Sequence, residues 1–148
     1  MTEGTIKTTV NRTPDEVFAY LANVERAPEW VPDILEVEKL TDGPVGVGTR
    51  FHQKVRQGAV TADVTVEITE FEPGRLLAQK GEGGPASFTG RFTLQPDGDR
   101  TEITHEYTMQ LSGMARMLAP VISQWVRKNT ETSFTNLKRA LNAEHRRA

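Results

Sequence analysis

Residues 5–11 alternate, with Ile6, Thr8 and Val10 on one side and Lys7, Thr9 and Asn11 on the other. A period of two predicts a short strand. The run Thr13-Pro14-Asp15-Glu16 then predicts a helix start. Thr13 caps, Pro14 suits the first helical position, and Glu16 closes a capping box. Val17, Phe18, Tyr20 and Leu21 give that helix an apolar side. Asn23-Val24-Glu25-Arg26 breaks it, and residues 27–32 read as a second short helical turn, which Pro32 discourages Val31 from continuing.

From 34 to 111 the pattern changes to strand-like runs separated by the turn clusters Thr41-Asp42-Gly43-Pro44, Glu72-Pro73-Gly74 and Pro96-Asp97-Gly98-Asp99. The clearest run is 60–68, where Val60, Ala62, Val64, Val66 and Ile68 alternate with Thr61, Asp63, Thr65 and Glu67. Strict alternation describes an antiparallel sheet with one buried and one wet face. Phe51, Gln53 and Val55 fall on one side of the next pattern, with Arg50, His52, Lys54 and Arg56 on the other. Phe88, Gly90, Phe92 and Leu94 form another inward set, as do Ile103, His105, Tyr107, Met109 and Leu111. Six strands are read here, besides the N-terminal one.

From 113 to about 145 the period becomes helical, through Met114, Met117, Leu118, Val121, Ile122, Trp125 and Val126. Beyond Asn129 the apolar positions thin to Phe134, Leu137, Ala140 and Leu141 on a rotated stripe. Pro120 either kinks this helix or marks its true first turn. Arg139, Arg146 and Arg147 suit the helix dipole near its C-terminal end. The order is strand, two short helices, six strands, long helix. A one-faced sheet must cover its apolar side, and the last helix is the only large amphipathic element left to do so. The expectation is an α+β helix-grip fold, a seven-stranded curved antiparallel sheet wrapped around a long C-terminal helix. Where the helix does not fill the curve, a cavity remains between them.

Composition narrows the function classes. A chain of 148 residues is expected to form one domain, 1–148, with no repeat or linker dividing it. It has no cysteine, hence no disulfide, thiolate zinc site or cysteine nucleophile. Eighteen basic against twenty acidic residues leave a net charge of −2, which gives no footprint for nucleic acid. No apolar run approaches the length of a membrane span, and Met1-Thr2-Glu3-Gly4-Thr5 lacks the features of a signal peptide. A cytoplasmic location is expected.

Several stretches resemble the polyketide cyclase/dehydrase-like branch of the START-like, or SRPBCC, superfamily, which includes the birch-pollen-allergen fold. They are Thr13-Pro14-Asp15-Glu16-Val17-Phe18-Ala19-Tyr20-Leu21-Ala22-Asn23 with Pro28-Glu29-Trp30, and Gly46-Val47-Gly48-Thr49-Arg50-Phe51. Phe71-Glu72-Pro73-Gly74-Arg75-Leu76 and Thr101-Glu102-Ile103-Thr104 complete the likeness. It spans essentially the whole chain and implies the same helix-grip architecture. It also implies binding of a hydrophobic or amphipathic small molecule between sheet and helix. The superfamily includes aromatase/cyclases, lipid carriers and hormone receptors, and fold does not choose among them.

His105 is the sharpest single residue, because alternation puts it on the inward face beside Tyr107. An imidazole next to a phenol in a pocket is able to act as acid or base. The commoner role of such a residue is a core histidine bonded to a neighbour. As an enzyme, the chain would be a cyclase or dehydratase with His105 as acid/base and Tyr107 stabilising an enolate. As a binding protein, the apolar set Trp30, Phe51, Phe88, Phe92, Tyr107, Met109, Met117 and Trp125, equally consistent with a filled core, would supply contact area, and Gln53, His105 and Asn129 would orient polar groups. Asn129 and Ser133 continue the line of Leu118, Ile122 and Trp125, and either face the cavity or turn to solvent beyond Pro120. A third class is an interaction protein or homodimer using Met114, Ala115, Met117 and Val121. Histidines at 52, 105 and 145 are too far apart for a metal site, and no cofactor is expected. Gly46-Val47-Gly48 lacks a third glycine and a following helix, so it reads as a tight turn rather than a dinucleotide loop. Gly81-Glu82-Gly83-Gly84-Pro85 reads as a flexible loop at the cavity mouth. The carboxylates Asp63, Glu67, Glu102 and Glu106 fall on the wet face, which weakens the enzyme reading.

Overall fold

The computed structural model describes residues 2–57, 60–83, 86–111, 113, 117 and 119–147. The first strand, β1 (Thr2–Val10), leads into α1 (Pro14–Ala22). Thr13 caps α1, its hydroxyl accepting from the Glu16 amide at 3.3 Å. The carboxylate of Glu16 accepts from that same hydroxyl at 3.1 Å. A 3-10 helix (Val24–Glu29) follows at once. The sequence places a break at 23–26 and the second turn at 27–32. The structure starts that turn earlier, because Asn23 alone ends α1 and the chain re-winds in a tighter helix.

Six strands complete the sheet: β2 (Ile34–Lys39), β3 (Arg50–Gln57), β4 (Val60–Glu72), β5 (Leu76–Gly83), β6 (Ala86–Asp97) and β7 (Arg100–Leu111). All pairs are antiparallel, in the order β1-β7-β6-β5-β4-β3-β2. Register shifts between Ile34 and Glu36 and between Ile68 and Glu70 interrupt the ladders, and such bulges bend a sheet. The β4–β5 turn needs Gly74 and the β6–β7 turn needs Gly98, with φ of 76° and 64°. Residues 81–83, expected in a loop, are the end of β5, while Gly84 and Pro85 lie outside the described residues.

The long helix, α2, runs Ala119–Arg147. Pro120 therefore stands in its first turn, where a missing amide costs nothing, and not at a kink inside a longer helix. The later, thinner stripe carries the packing: Phe134, Leu137 and Leu141 are buried with Val10, Val17, Phe18, Phe92 and Ile103. Of the earlier stripe, Val126 lines the cavity, while two residues face outward, as the interaction reading allows. Met117 and Val121 are 82% and 68% exposed. Arg12 joins the two ends of the chain, its guanidinium donating to the Leu141 carbonyl at 3.2 and 3.3 Å.

Candidate functional site

A cavity of about 270 Å³ lies between the concave face of the sheet and α2. Its floor comes from alternate positions of the strands: Gln53 and Val55 of β3, Val64 of β4, Leu77 and Gln79 of β5, Phe88, Gly90 and Phe92 of β6, and His105, Tyr107 and Met109 of β7. One wall is Leu21, Val24, Ala27, Trp30, Val31 and Ile34; the other is Val126, Thr130, Ser133 and Phe134 of α2. None of the described residues lining it carries a formal charge at neutral pH.

Aromatic rings shape the interior. His105 stacks on Phe92 with centroids 4.3 Å apart and planes 11° apart, and Phe134 meets it edge-on at 5.7 Å. Trp30 contacts both Phe92 and Phe134 at 6.3 Å. Two rings recline over glycines on adjacent strands: Tyr107 over Gly4, and Phe88 over Gly81. A Cβ at either glycine would overlap the ring above it, so the absent side chains let the rings lie low and leave space over them.

The polar groups differ in what they leave free. Burial lowers the His105 pKa to about 4, so the ring is neutral at physiological pH. Its Nδ1 is enclosed without a hydrogen-bond partner. Gln53 is only 4% exposed. The hydroxyls of Thr130 and Ser133 spend their protons along their own helix, donating to the carbonyls of Val126 and Asn129, each at 2.8 Å. Toward the cavity these two hydroxyls of α2 are left as acceptors, not donors.

Of the expected contact residues, Trp30, Gln53, Phe88, Phe92, His105, Tyr107 and Met109 line the cavity. Phe51 does not: it is 1% exposed and packed in the core cluster with Phe18, Ile68 and Leu137. Asn129 does not orient a cavity group either, since its amide donates to Asp33 Oδ2 at 2.6 Å. The Trp125 side chain lies outside the described residues, as do Met114 and Ala115. Gln79, Gly90, Thr130 and Phe134 line the cavity without being expected as contacts. Gln79 has a signal in the sequence, standing two residues beyond inward-facing Leu77 on the same strand. Glu29, next to Trp30 in the chain, pairs with Arg26 at 2.8 Å and accepts from the Tyr20 hydroxyl at 3.2 Å. His52 faces outward, 3.0 Å from Asp63. The Gly46–Gly48 segment is a turn, with Thr49 N donating to Gly46 O at 3.1 Å. Among the described residues no group of three or more histidines and carboxylates is placed to hold a metal ion.

The chain belongs to the family described as polyketide cyclase/dehydrase and lipid transport, which matches it over residues 1–142. No curated protein matches the sequence. Among solved structures it is similar to a START superfamily protein from Mycobacterium smegmatis, with a TM-score of 0.84 at 13% identity, covering 97% of this chain and 99% of that one. A Thermus thermophilus protein gives 0.83 at 15% identity, covering 96% and 98%. The Zhui aromatase/cyclase of a Streptomyces species gives 0.76 at 18%, covering 95% and 93%. Identities this low show the shared helix-grip fold. Among the described residues no helix is long and apolar enough to cross a membrane.

Proposed function

We propose that this chain, acting as one cytoplasmic domain, binds a hydrophobic or amphipathic small molecule between its sheet and α2. The observation that carries this reading is the cavity of about 270 Å³, ringed by Trp30, Phe88, Phe92, Tyr107 and Phe134 with no charged lining residue among those described. Apolar concavities with a few polar groups are the usual form of small-molecule sites. Native mass spectrometry of the protein purified from cells tests it. A small molecule released on denaturation is expected. Protein that carries none, and that binds no apolar compound in titration, would overturn the reading.

A second reading, a cyclase or dehydratase, is favoured by one observation: His105 and Tyr107 sit together in the cavity with ring centroids 5.8 Å apart. Against it, no carboxylate lines the cavity among the described residues to hold or charge the imidazole. Substituting His105→Ala separates the two. Loss of turnover with retained affinity supports the enzyme, whereas loss of affinity with no turnover supports the carrier.

A further inference from the structure

Gly90 lies in a polar part of the cavity floor. This residue pairs with Gln79 of β5 on one side and Tyr107 of β7 on the other. A Cβ built on it would stand 3.2 Å from His105 Nε2 and 4.0 Å from Gln79 Cγ. Its φ is not positive, so the backbone does not demand glycine there. What glycine leaves is a notch on the cavity wall, beside the His105 imidazole and the Gln79 side chain.

The direction of the donor follows from burial. A neutral imidazole carries one N–H and one lone pair. Nδ1 is sealed without a partner. An unused lone pair is tolerated in a protein interior more often than an orphaned N–H. The proton therefore belongs on Nε2, the nitrogen at the notch. Gln79, paired with Gly90 from the neighbouring strand β5, carries an amide able to donate a second bond.

We propose that the notch over Gly90 is the polar subsite of the cavity and receives a carbonyl oxygen of an uncharged, flat ligand, bonded by His105 Nε2–H and the Gln79 amide. This rests on the binding reading above and adds the ligand class to it. An uncharged group suits the described lining, which holds no cation. A carboxylate there would lose its hydration without an ion-pair partner, at a large cost in affinity. Neutral His105 does not supply that partner near pH 7. A flat skeleton fits a space walled by Phe92, Phe134 and Trp30, and at interior packing density the volume holds on the order of a dozen heavy atoms.

Isothermal titration of the full chain at pH 7 with three isosteric probes tests this: 2-acetylnaphthalene, 2-isopropenylnaphthalene and 2-naphthoate. The ketone is expected to bind about tenfold tighter than the hydrocarbon, as one net hydrogen bond allows, and the carboxylate more weakly than either. Gly90→Ala, which fills the notch, should erase the ketone's advantage over the hydrocarbon, as should His105→Phe. Equal affinity of ketone and hydrocarbon, or tightest binding of the naphthoate, would overturn the subsite and leave the cavity reading standing. If none of the three binds, the cavity reading falls and the subsite with it. The comparison among probes on the unsubstituted protein decides the matter even if a variant does not fold.

Discussion

His105 and Phe92, directly opposite each other on β7 and β6, stack nearly parallel with centroids 4.3 Å apart. The stack explains the state of the imidazole. One face is covered by a ring that offers no hydrogen bond, and one nitrogen is enclosed without a partner. Protonation would bury a charge against carbon.

The acid side of the stability profile should therefore depend on His105. Its folded pKa, about 4, lies below the ordinary value of 6.5. Above 6.5 the ring is neutral folded and unfolded, and the shift has no effect. As pH falls from 6.5 to about 4 the unfolded chain binds a proton that the folded chain does not, so stability declines, by up to about 3 kcal/mol. Urea unfolding at pH 7, 6, 5 and 4 should show that decline in the unsubstituted protein and less of it in His105→Phe. Parallel profiles would refute the assignment.

The glycines beneath the rings should matter as much as the rings. In Gly81→Ala the new methyl overlaps Phe88 and forces the ring up into the cavity. Overpacking of this kind costs about 1–3 kcal/mol. The variant should melt lower and lose affinity for apolar probes. Unchanged affinity would mean that Phe88 does not bound the space a ligand uses.

The strands are legible because each β-run is buried on one face, and one-sided burial writes itself as alternation. The same rule places His105 and Gln53 inward. Alternation gives the face of a residue but not its position along the curve of the sheet, which is why it cannot separate core Phe51 from the cavity residues on the same face. Asn129 escapes for another reason: its partner Asp33 is 96 residues away, and no local pattern records that bond. In α2 the helical period gives the phase of an apolar stripe without saying which half meets the sheet. The richer stretch, which begins before α2, contains exposed Met117 and Val121, and the sparser half of α2 holds the core.

That reversal makes a sharp contrast in stability. Leu137 is fully buried and Val121 is 68% exposed. Leu137→Ala should cost about 2–5 kcal/mol through lost burial and the hole left behind. Val121→Ala should stay within about 0.5 kcal/mol, as exposed sites do. Thermal or denaturant unfolding of both variants checks this, and a large loss at Val121 would show that something covers it in solution.

Two side chains of α2 fasten the wall formed by residues 30–34. Asn129 donates to Asp33 Oδ2 at 2.6 Å, and Asn136 donates to the Trp30 carbonyl at 3.2 Å. Between them lie Trp30 and Val31, which line the cavity. The bond to Asp33 is charge-assisted and part-buried, so it is stronger than a neutral surface contact. Removing it in Asn129→Ala should cost about 1–3 kcal/mol. The effect should also be local: the Ile34 amide, bonded to Val31 O at 3.1 Å, should exchange with solvent faster, while the β6–β7 ladder keeps its protection. A looser wall should also speed both entry and exit of an apolar probe, visible in stopped-flow mixing as a raised dissociation rate. Were exchange to rise equally across the sheet, Asn129 would be a contributor to global stability rather than a fastener of this wall.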